Sequence, residues 1–330
     1  MSEAIVVFGG SGFLGKHVVN ALVRSGRRVR IAVRRPHVAA GQLPNYRPGQ
    51  VQTVAANVRD VESVARAVAG MDGVVNLVGV LAERGRQTFQ SVHVDGARLI
   101  AETAAAAGVT RLVHVSALGA DPKSRSAYGR SKAQGEAAVR AALPGAVILR
   151  PSVVFGPEDD FFNRFGAMAA LAIAPGLPLI GGGRTRFQPI FVGDVAEAVV
   201  AGLERGDARG RTYELGGPRV YSFRELLQFT LAQTVRRKPL LPLPFFLAQP
   251  LGAGFGLLAR LLPVFTPPLT ADQVKMLKRD NVVGQSGEAG VGAARDLGIG
   301  TMETIEAVTP SYLWRFRPYG QFTNPTQAAG

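Results

Sequence analysis

No cysteine occurs anywhere in the 330 residues. Disulfides, zinc–thiolate sites, iron–sulfur clusters and cysteine nucleophiles are therefore excluded, and thiols say nothing about redox compartment. Histidine is scarce as well, since His17, His37, His93 and His114 are the only four. Their spacing offers no metal motif, and isolated histidines of this kind read as structural. Acidic residues are missing from the whole stretch between Ala4 and Arg59. Long unbroken apolar runs are missing too. The segment from Pro239 to Leu269 carries only Arg260 as a charge, but prolines interrupt it at 242, 244, 250, 263, 267 and 268. A membrane-spanning helix needs about 20 consecutive apolar residues, and the longest proline-free part here runs only from Leu251 to Leu262. No span is expected. Met1, Ser2 and Glu3 lead directly into the first apolar run, which leaves no room for a signal or transit peptide. No targeting sequence is expected, and the chain should stay in the compartment where it is made.

What is present is basic and apolar. The formal net charge is +14 and 47% of residues are hydrophobic, which suits a folded protein with an anionic partner: nucleic acid, lipid or a phosphorylated ligand. No interleaved aromatic-and-basic motif supports nucleic acid.

Val/Ile-rich runs at Ala4 to Phe8, Val29 to Val33, Val51 to Ala55, Val74 to Val78, Leu112 to Ser116 and Ala146 to Leu149 predict strands. Helix-period segments at Phe13 to Arg24, Val61 to Ala69, Phe89 to Ala107 and Tyr128 to Ala142 separate them. Near-continuous apolar strands alternating with helices predict a parallel sheet covered on both faces, a doubly wound Rossmann α/β fold with its core in residues 1–150. Ile190 to Val192, the helix opened by Asp194, and Tyr213 to Leu215 read as later pieces docked on that sheet. The expected division is a nucleotide-binding domain over 1–238 and a smaller, mainly helical, membrane-proximal or interface region over 239–330. The end from about Thr323 reads as disordered.

The first strand runs into Gly9, Gly10, Ser11, Gly12, Phe13, Leu14 and Gly15, then a helix. Glycines permit a tight turn and close approach of backbone to a pyrophosphate, and the helix N-terminus supplies free amides. An Asp or Glu ending the second strand selects NAD, whereas an arginine there suits the 2′-phosphate of NADP. Arg34 and Arg35 stand at that place, so NADP(H) is the expected cofactor. Tyr128 and Lys132 form a YxxxK pair on one helical face. In a dehydrogenase the tyrosine transfers the proton and the lysine favours its phenolate, with Ser116 completing the set.

Together these motifs resemble the extended and atypical short-chain dehydrogenase/reductases. Asn57-Val58-Arg59-Asp60 after the third strand, Asn76 with Leu77, Val78 and Gly79 after the fourth, Arg150-Pro151-Ser152 after the sixth, and Val192-Gly193-Asp194-Val195 carry the resemblance further. It implies Asn57, Val58, Leu77, Val78, Gly79, Pro151 and Ser152 as further cofactor contacts. One departure is the short connection between Ser116 and Tyr128, which leaves less wall for a sugar-sized substrate.

More narrowly, the chain resembles the NADPH-binding accessory subunits of respiratory complex I in their α-proteobacterial form. Val113 to Ala120, Arg150 to Gly156, Phe161 to Phe165, Arg186 to Val192, Leu269 to Val274 and Pro310 to Arg315 carry that likeness. It implies a peripheral subunit at the cytoplasmic face of the bacterial inner membrane, with other complex I subunits as partners and NADPH kept as a structural cofactor. Arg236, Arg237 and Lys238, set just before the apolar segment, suit an anionic membrane surface. The alternative is a free-standing NADP-dependent reductase or epimerase using Tyr128 and Lys132.

Overall fold

A computed structural model describes residues 2–41, 44, 46–173, 175–261 and 269–322. The expected disordered end from Thr323 lies outside the described residues, as do 262–268 of the apolar segment. The chain forms two compact units. The first comprises Met1–Pro151, Val192–Leu215 and Gly284–Gly300; the second comprises Ser152–Phe191, Gly216–Val283 and Thr301–Gly330.

In the first unit the strands are β1 (Ala4–Phe8), β2 (Arg28–Val33), β3 (Val51–Ala55), β4 (Gly73–Asn76), β5 (Leu112–Val115) and β6 (Val147–Pro151), joined by Thr212–Leu215 and Gly292–Ala293. The sheet has eight strands. From one edge it runs Gly292–Ala293, Thr212–Leu215, β6, β5, β4, β1, β2, β3, and every pairing is parallel. The reversal of order beside β1 is the doubly wound pattern, which gathers ligand sites at the carboxyl ends of the strands. Every residue of β1 is buried because helices cover both faces of the sheet. Val6 and Phe8 pack with Val64, Ala97, Ile100 and Val139 of the helices Val61–Val68, Gly96–Ala106 and Ala127–Ala142. The opposite face takes the packed pair Phe13–Arg24 and Val192–Glu204.

Capping fixes where these helices begin. Asp60 accepts from the amides of Glu62 and Ser63, and Ser126 accepts from Gly129. The helix Phe13–Arg24 has Gly12 as its N-cap, no capping side chain and no acid in its first turn. The segment expected as one helix from Phe89 begins instead as a π-helical turn, Gln90–Asp95, before Gly96–Ala106. Such turns concentrate at functional sites.

The second unit is built on aromatic packing: Phe155, Phe162, Phe187 and Phe223 are buried together with Tyr312 and Leu313. Its strands are short pairs. Ile190–Phe191 pairs with Val154–Phe155, Tyr221–Ser222 with Arg186–Phe187, and Leu240–Leu243 with Leu177–Ile180. Deep in this unit the Tyr312 hydroxyl donates to Asp159 Oδ2 at 2.6 Å.

Three expectations change. Ile190–Phe191 is no part of the main sheet, because its backbone partner is Val154–Phe155. The compact units do not divide at 238/239, since residues 152–191 and 216–238 belong to the second unit. Conversely 284–300 returns to the first, where Gly292–Ala293 forms the sheet's edge and Glu288 pairs with Arg150. No helix among the described residues is long and apolar enough to cross a membrane.

Candidate dinucleotide site

The turn after β1 is held by its own backbone: Gly9 N–H donates to Ala32 O at 3.3 Å and Gly12 N–H to Gly9 O at 3.0 Å. Gly9 has φ +83°, in the left-handed region that glycine tolerates. Gly15 sits so close beneath the turn that a Cβ there would lie 2.2 Å from Gly9 O. Only glycine lets the helix start this near the strand end. The result is a helix N-terminus whose N-cap, Gly12, offers no side-chain cap and whose first turn holds no acid, the electrostatic requirement for an anion. Ser11, Phe13 and Leu14 are partly buried in this turn, and Gly12 is exposed.

Arg34 and Arg35 follow β2 and are both exposed. Arg34 Nη1 donates to Gln87 Oε1 at 2.9 Å. After β3, Asn57 Oδ1 accepts from the amide and Nε of Arg59, and Val58 packs partly buried on the core. After β4, Leu77 N–H donates to Phe8 O at 3.0 Å and Val78 N–H to Asn76 Oδ1 at 3.0 Å. Those bonds set the Leu77–Gly79 backbone beside the glycine turn, where a Cβ on Gly9 would meet Leu77 at 3.4 Å.

Tyr128 and Lys132 lie on the Ala127–Ala142 helix, Lys132 buried and Tyr128 partly so. Lys132 Nζ donates to Val115 O at 2.9 Å. Burial pulls the Lys132 ammonium down to about 8, against the charge of Glu136, which favours the cation. Burial pushes the Tyr128 phenol up to about 12. A Cβ on Gly79 would lie 4.0 Å from Lys132 Nζ, so the β4 loop and the YxxxK pair meet. Ser116, one residue beyond β5, is 5% exposed and its Oγ has no hydrogen-bond partner among the described residues. Pro151 O accepts from Leu118 N–H at 2.9 Å, which holds the chain after β5 against the end of β6.

The expected residues from Gly9 to Pro151 thus stand at the carboxyl ends of β1 to β6. Ser152 is the exception. It belongs to the second unit, where its hydroxyl donates to Asn281 Oδ1 at 2.7 Å.

Several contributors have no strong sequence signal. His93 accepts Val80 N–H at Nε2 (3.0 Å), so its proton sits on Nδ1 and points to Ser131 Oγ (2.9 Å); Ser131 in turn donates to Tyr128 O at 2.8 Å. Burial, reinforced by the Lys132 charge, holds His93 down at about 3, so it is neutral. Asn76 Nδ2 donates to His114 Nδ1 at 3.0 Å, and burial likewise keeps His114 neutral. Glu136 and Arg150 form a buried bidentate pair at 2.9 and 2.7 Å, and Glu288 closes on the other side of the guanidinium at 2.9 Å. Burial alone would lower the Arg150 guanidinium, but its two carboxylate partners outweigh burial and raise it. Asn76 and Arg150 fall within motifs noted in the sequence, but their partners His114 and Glu136 do not, and apolar patterning passes over both.

Do these residues fit a dinucleotide? The uncapped helix start, the close Gly15 and the buried unpaired Ser116 hydroxyl all do. Buried hydroxyls are almost always hydrogen-bonded, so Ser116 Oγ calls for a group from outside the chain.

Comparison with known proteins gives the family and the fold. Residues 5–216, more than half of the chain, match the NAD dependent epimerase/dehydratase family. The chain is 37% identical over 283 residues to the mitochondrial NADH dehydrogenase (ubiquinone) 1 alpha subcomplex subunit 9 of Mus musculus, covering 84% of this chain and 72% of that protein. It is also 37% identical over 197 residues to ceramide reductase of Caulobacter vibrioides, covering 60% of each. Among solved structures, MoeE5 in complex with UDP-glucose and NAD shares the fold, with a TM-score of 0.60 at 22% identity over 73% of this chain and 85% of that one. The chain belongs to the NAD dependent epimerase/dehydratase family and is a homologue of subunit 9 of the complex I NADH dehydrogenase.

Proposed function

We propose that this protein is a peripheral accessory subunit of a bacterial NADH:ubiquinone oxidoreductase, respiratory complex I, that holds NADP(H) as a structural cofactor at the cytoplasmic face of the inner membrane. The observation that carries the reading is the identity to subunit 9, which spans most of both chains. Arg34 and Arg35 at the end of β2, with no acid nearby in sequence, support the phosphorylated dinucleotide.

In this reading the amides after β1 hold the pyrophosphate and Arg34 the 2′-phosphate. Lys132, Tyr128 and Ser116 hold the nicotinamide ribose end. When bound, NADPH supplies a hydride donor. The chain's own groups favour retention over turnover: Lys132 already donates to Val115 O, and a phenol raised to about 12 is a poor proton donor near neutrality. The test is to isolate the tagged full chain from its own membranes in mild detergent. NADH:quinone oxidoreductase subunits should accompany it, and denaturation should release NADP(H). Absence of the oxidoreductase would overturn the subunit role, and release of mainly NAD(H) would overturn the cofactor. Arg34→Ala should weaken NADPH retention about tenfold, as expected for a charged contact.

A second reading, an NADP-dependent reductase, draws on the gathering of Ser116, Tyr128 and Lys132 and on the likeness to ceramide reductase. It requires NADPH oxidation above about 1 per second, the low end of typical enzymes, and its loss in Tyr128→Phe.

A further inference from the structure

The turn Arg84 to Gln87 lies outside every motif used so far. It is closed by reciprocal backbone bonds, Arg84 N–H to Gln87 O at 3.0 Å and Gln87 N–H to Arg84 O at 2.9 Å. Two arginines from neighbouring strand ends hold it. Arg34, after β2, donates to the Gln87 side-chain oxygen at 2.9 Å. Arg59, after β3, donates from Nη1 to Arg86 O at 2.9 Å, while its Nε is steadied on Asn57 Oδ1 at 3.4 Å.

Both guanidinium groups rest on neutral oxygens. No carboxylate lies within ion-pair distance of Arg34 or Arg59 among the described residues, and the acids next in sequence to Arg59 and Arg84 are engaged with backbone amides. Asp60 caps the Val61–Val68 helix, and Glu83 accepts the amide of Phe89 at 2.8 Å. A guanidinium has five N–H donors in a fixed fork. Arg34 shows one of them used and Arg59 two, so each keeps both its charge and most of its donors. β2 and β3 are paired in parallel, with Val33 opposite Ala55, which brings the two cations out at one edge of the sheet. A neutral acceptor can orient an arginine without neutralising it, and two arginines oriented this way suit a doubly charged phosphate monoester.

We propose that Arg34, Arg59 and the Gln87 side chain form a single phosphomonoester clamp steadied by the Arg86 carbonyl, in which Arg59 shares the 2′-phosphate with Arg34 and Gln87 sets selectivity by being uncharged. The proposal rests on the NADP(H) reading above. A carboxylate in place of Gln87 would pair with Arg34 and repel the phosphate, leaving the unphosphorylated dinucleotide unaffected.

The experiment titrates the full chain with NADPH and with NADH, following nicotinamide fluorescence. Arg59→Ala and Gln87→Glu should each weaken NADPH about tenfold or more while NADH changes less than about twofold. Arg86→Ala removes a charge from the same turn but keeps the carbonyl that Arg59 uses, so it should change NADPH by less than about threefold. Circular dichroism of each variant confirms folding, and Arg59→Lys, which keeps the charge and loses the fork, should fall between wild type and Arg59→Ala. Equal losses in Arg59→Ala and Arg86→Ala would overturn the clamp in favour of diffuse charge, as would parallel losses for both nucleotides. Wild-type protein that binds NADH as tightly as NADPH would instead overturn the underlying cofactor reading.

Discussion

His93 Nδ1 lies 2.9 Å from the hydroxyl of Ser131, so a ring that receives the Val80 amide at its other nitrogen ties the β4 loop to the helix of Tyr128 and Lys132. The ring is also stacked on Phe89 at 5.3 Å and meets Tyr128 edge-on at 5.4 Å. His93→Phe keeps the aromatic packing and loses both hydrogen bonds, leaving the Val80 amide unmet. Stability should fall by about 1–3 kcal/mol, read from chemical denaturation at pH 7. The pH dependence has a definite sign. The folded ring is held at about 3 against 6.5 unfolded, so its contribution is full above 6.5 and is lost as pH falls toward 3. The variant should therefore show a shallower acid-side loss than wild type. His114 acts in the same direction and remains, so some slope persists. An unchanged slope would refute the assignment.

Lys132 runs the other way. Its folded value of about 8 against 10.5 unfolded means that the buried ammonium costs stability below about pH 8, a cost that fades as pH climbs to 10.5. Lys132→Met removes that cost and also one hydrogen bond to Val115 O. The apo protein should be about 1 kcal/mol more stable at pH 7, with its advantage shrinking toward pH 10.5, while nucleotide retention weakens. A site that loses stability to keep its cation is expected where function requires the charge. A less stable variant at pH 7 would contradict this.

The parts of the fold legible in sequence are those where physics leaves a periodic trace. β1, β4, β5 and β6 show as largely apolar runs because every residue in them is buried, and the glycine turn shows because Gly15 cannot be replaced without a 2.2 Å clash. Gly292–Ala293 leaves no trace, since two small residues make an edge strand by backbone pairing alone. The π-helical turn at Gln90–Asp95 is hidden because apolar spacing does not distinguish its hydrogen bonds from those of an α-helix. Arg150 and Glu136 are charged residues on buried faces, and their mutual satisfaction over 14 positions is not a local property. For the same reason Gln87 could not be linked to Arg34, 53 residues away.

The Glu136–Arg150 pair makes its own prediction. Arg150 and Glu136 are 3% and 1% exposed, so removing either partner leaves a buried charge. Arg150→Met should cost about 3–5 kcal/mol, softened slightly by Arg140, which lies 3.5 Å from Glu136 Oε2. Replacing both, as Glu136→Gln with Arg150→Met, should cost less than Arg150→Met alone, because no uncompensated buried charge remains and Glu288, which also loses Arg150, is half exposed to water. A double-mutant cycle by urea denaturation measures the difference. Additive losses would show that the pair does not act as a unit.

The final prediction concerns attachment. Among its described side chains the helix Phe245–Leu261 buries Ala248 deeply, yet exposes Phe246 at 73%, Leu247 at 50%, Leu251 at 45% and Leu257 at 59%. Contiguous exposed apolar surface of this kind normally marks an interface. The adjacent basic residues keep their charge, since Arg236 Nε donates to the neutral Phe316 O at 3.0 Å and Lys238 Nζ to the neutral Ala172 O at 3.4 Å. The exposed apolar face beside them is the larger feature, and attachment should be mainly apolar. Ionic strength separates the two contributions, since the screening length falls from about 10 Å at 0.1 M to about 3 Å at 1 M salt, while apolar contacts do not weaken. Truncation at Pro239 is a poor test, because it would also remove the Gly292–Ala293 strand and the Glu288 partner of Arg150. Substituting Phe246, Leu251 and Leu257 by serine leaves both in place. Wild-type chain should stay with membranes washed at 1 M salt, and the triple variant should move to the supernatant with its far-ultraviolet spectrum unchanged. Complete release of the wild type by salt would assign attachment to charge, and retention of the triple variant would place the interface elsewhere.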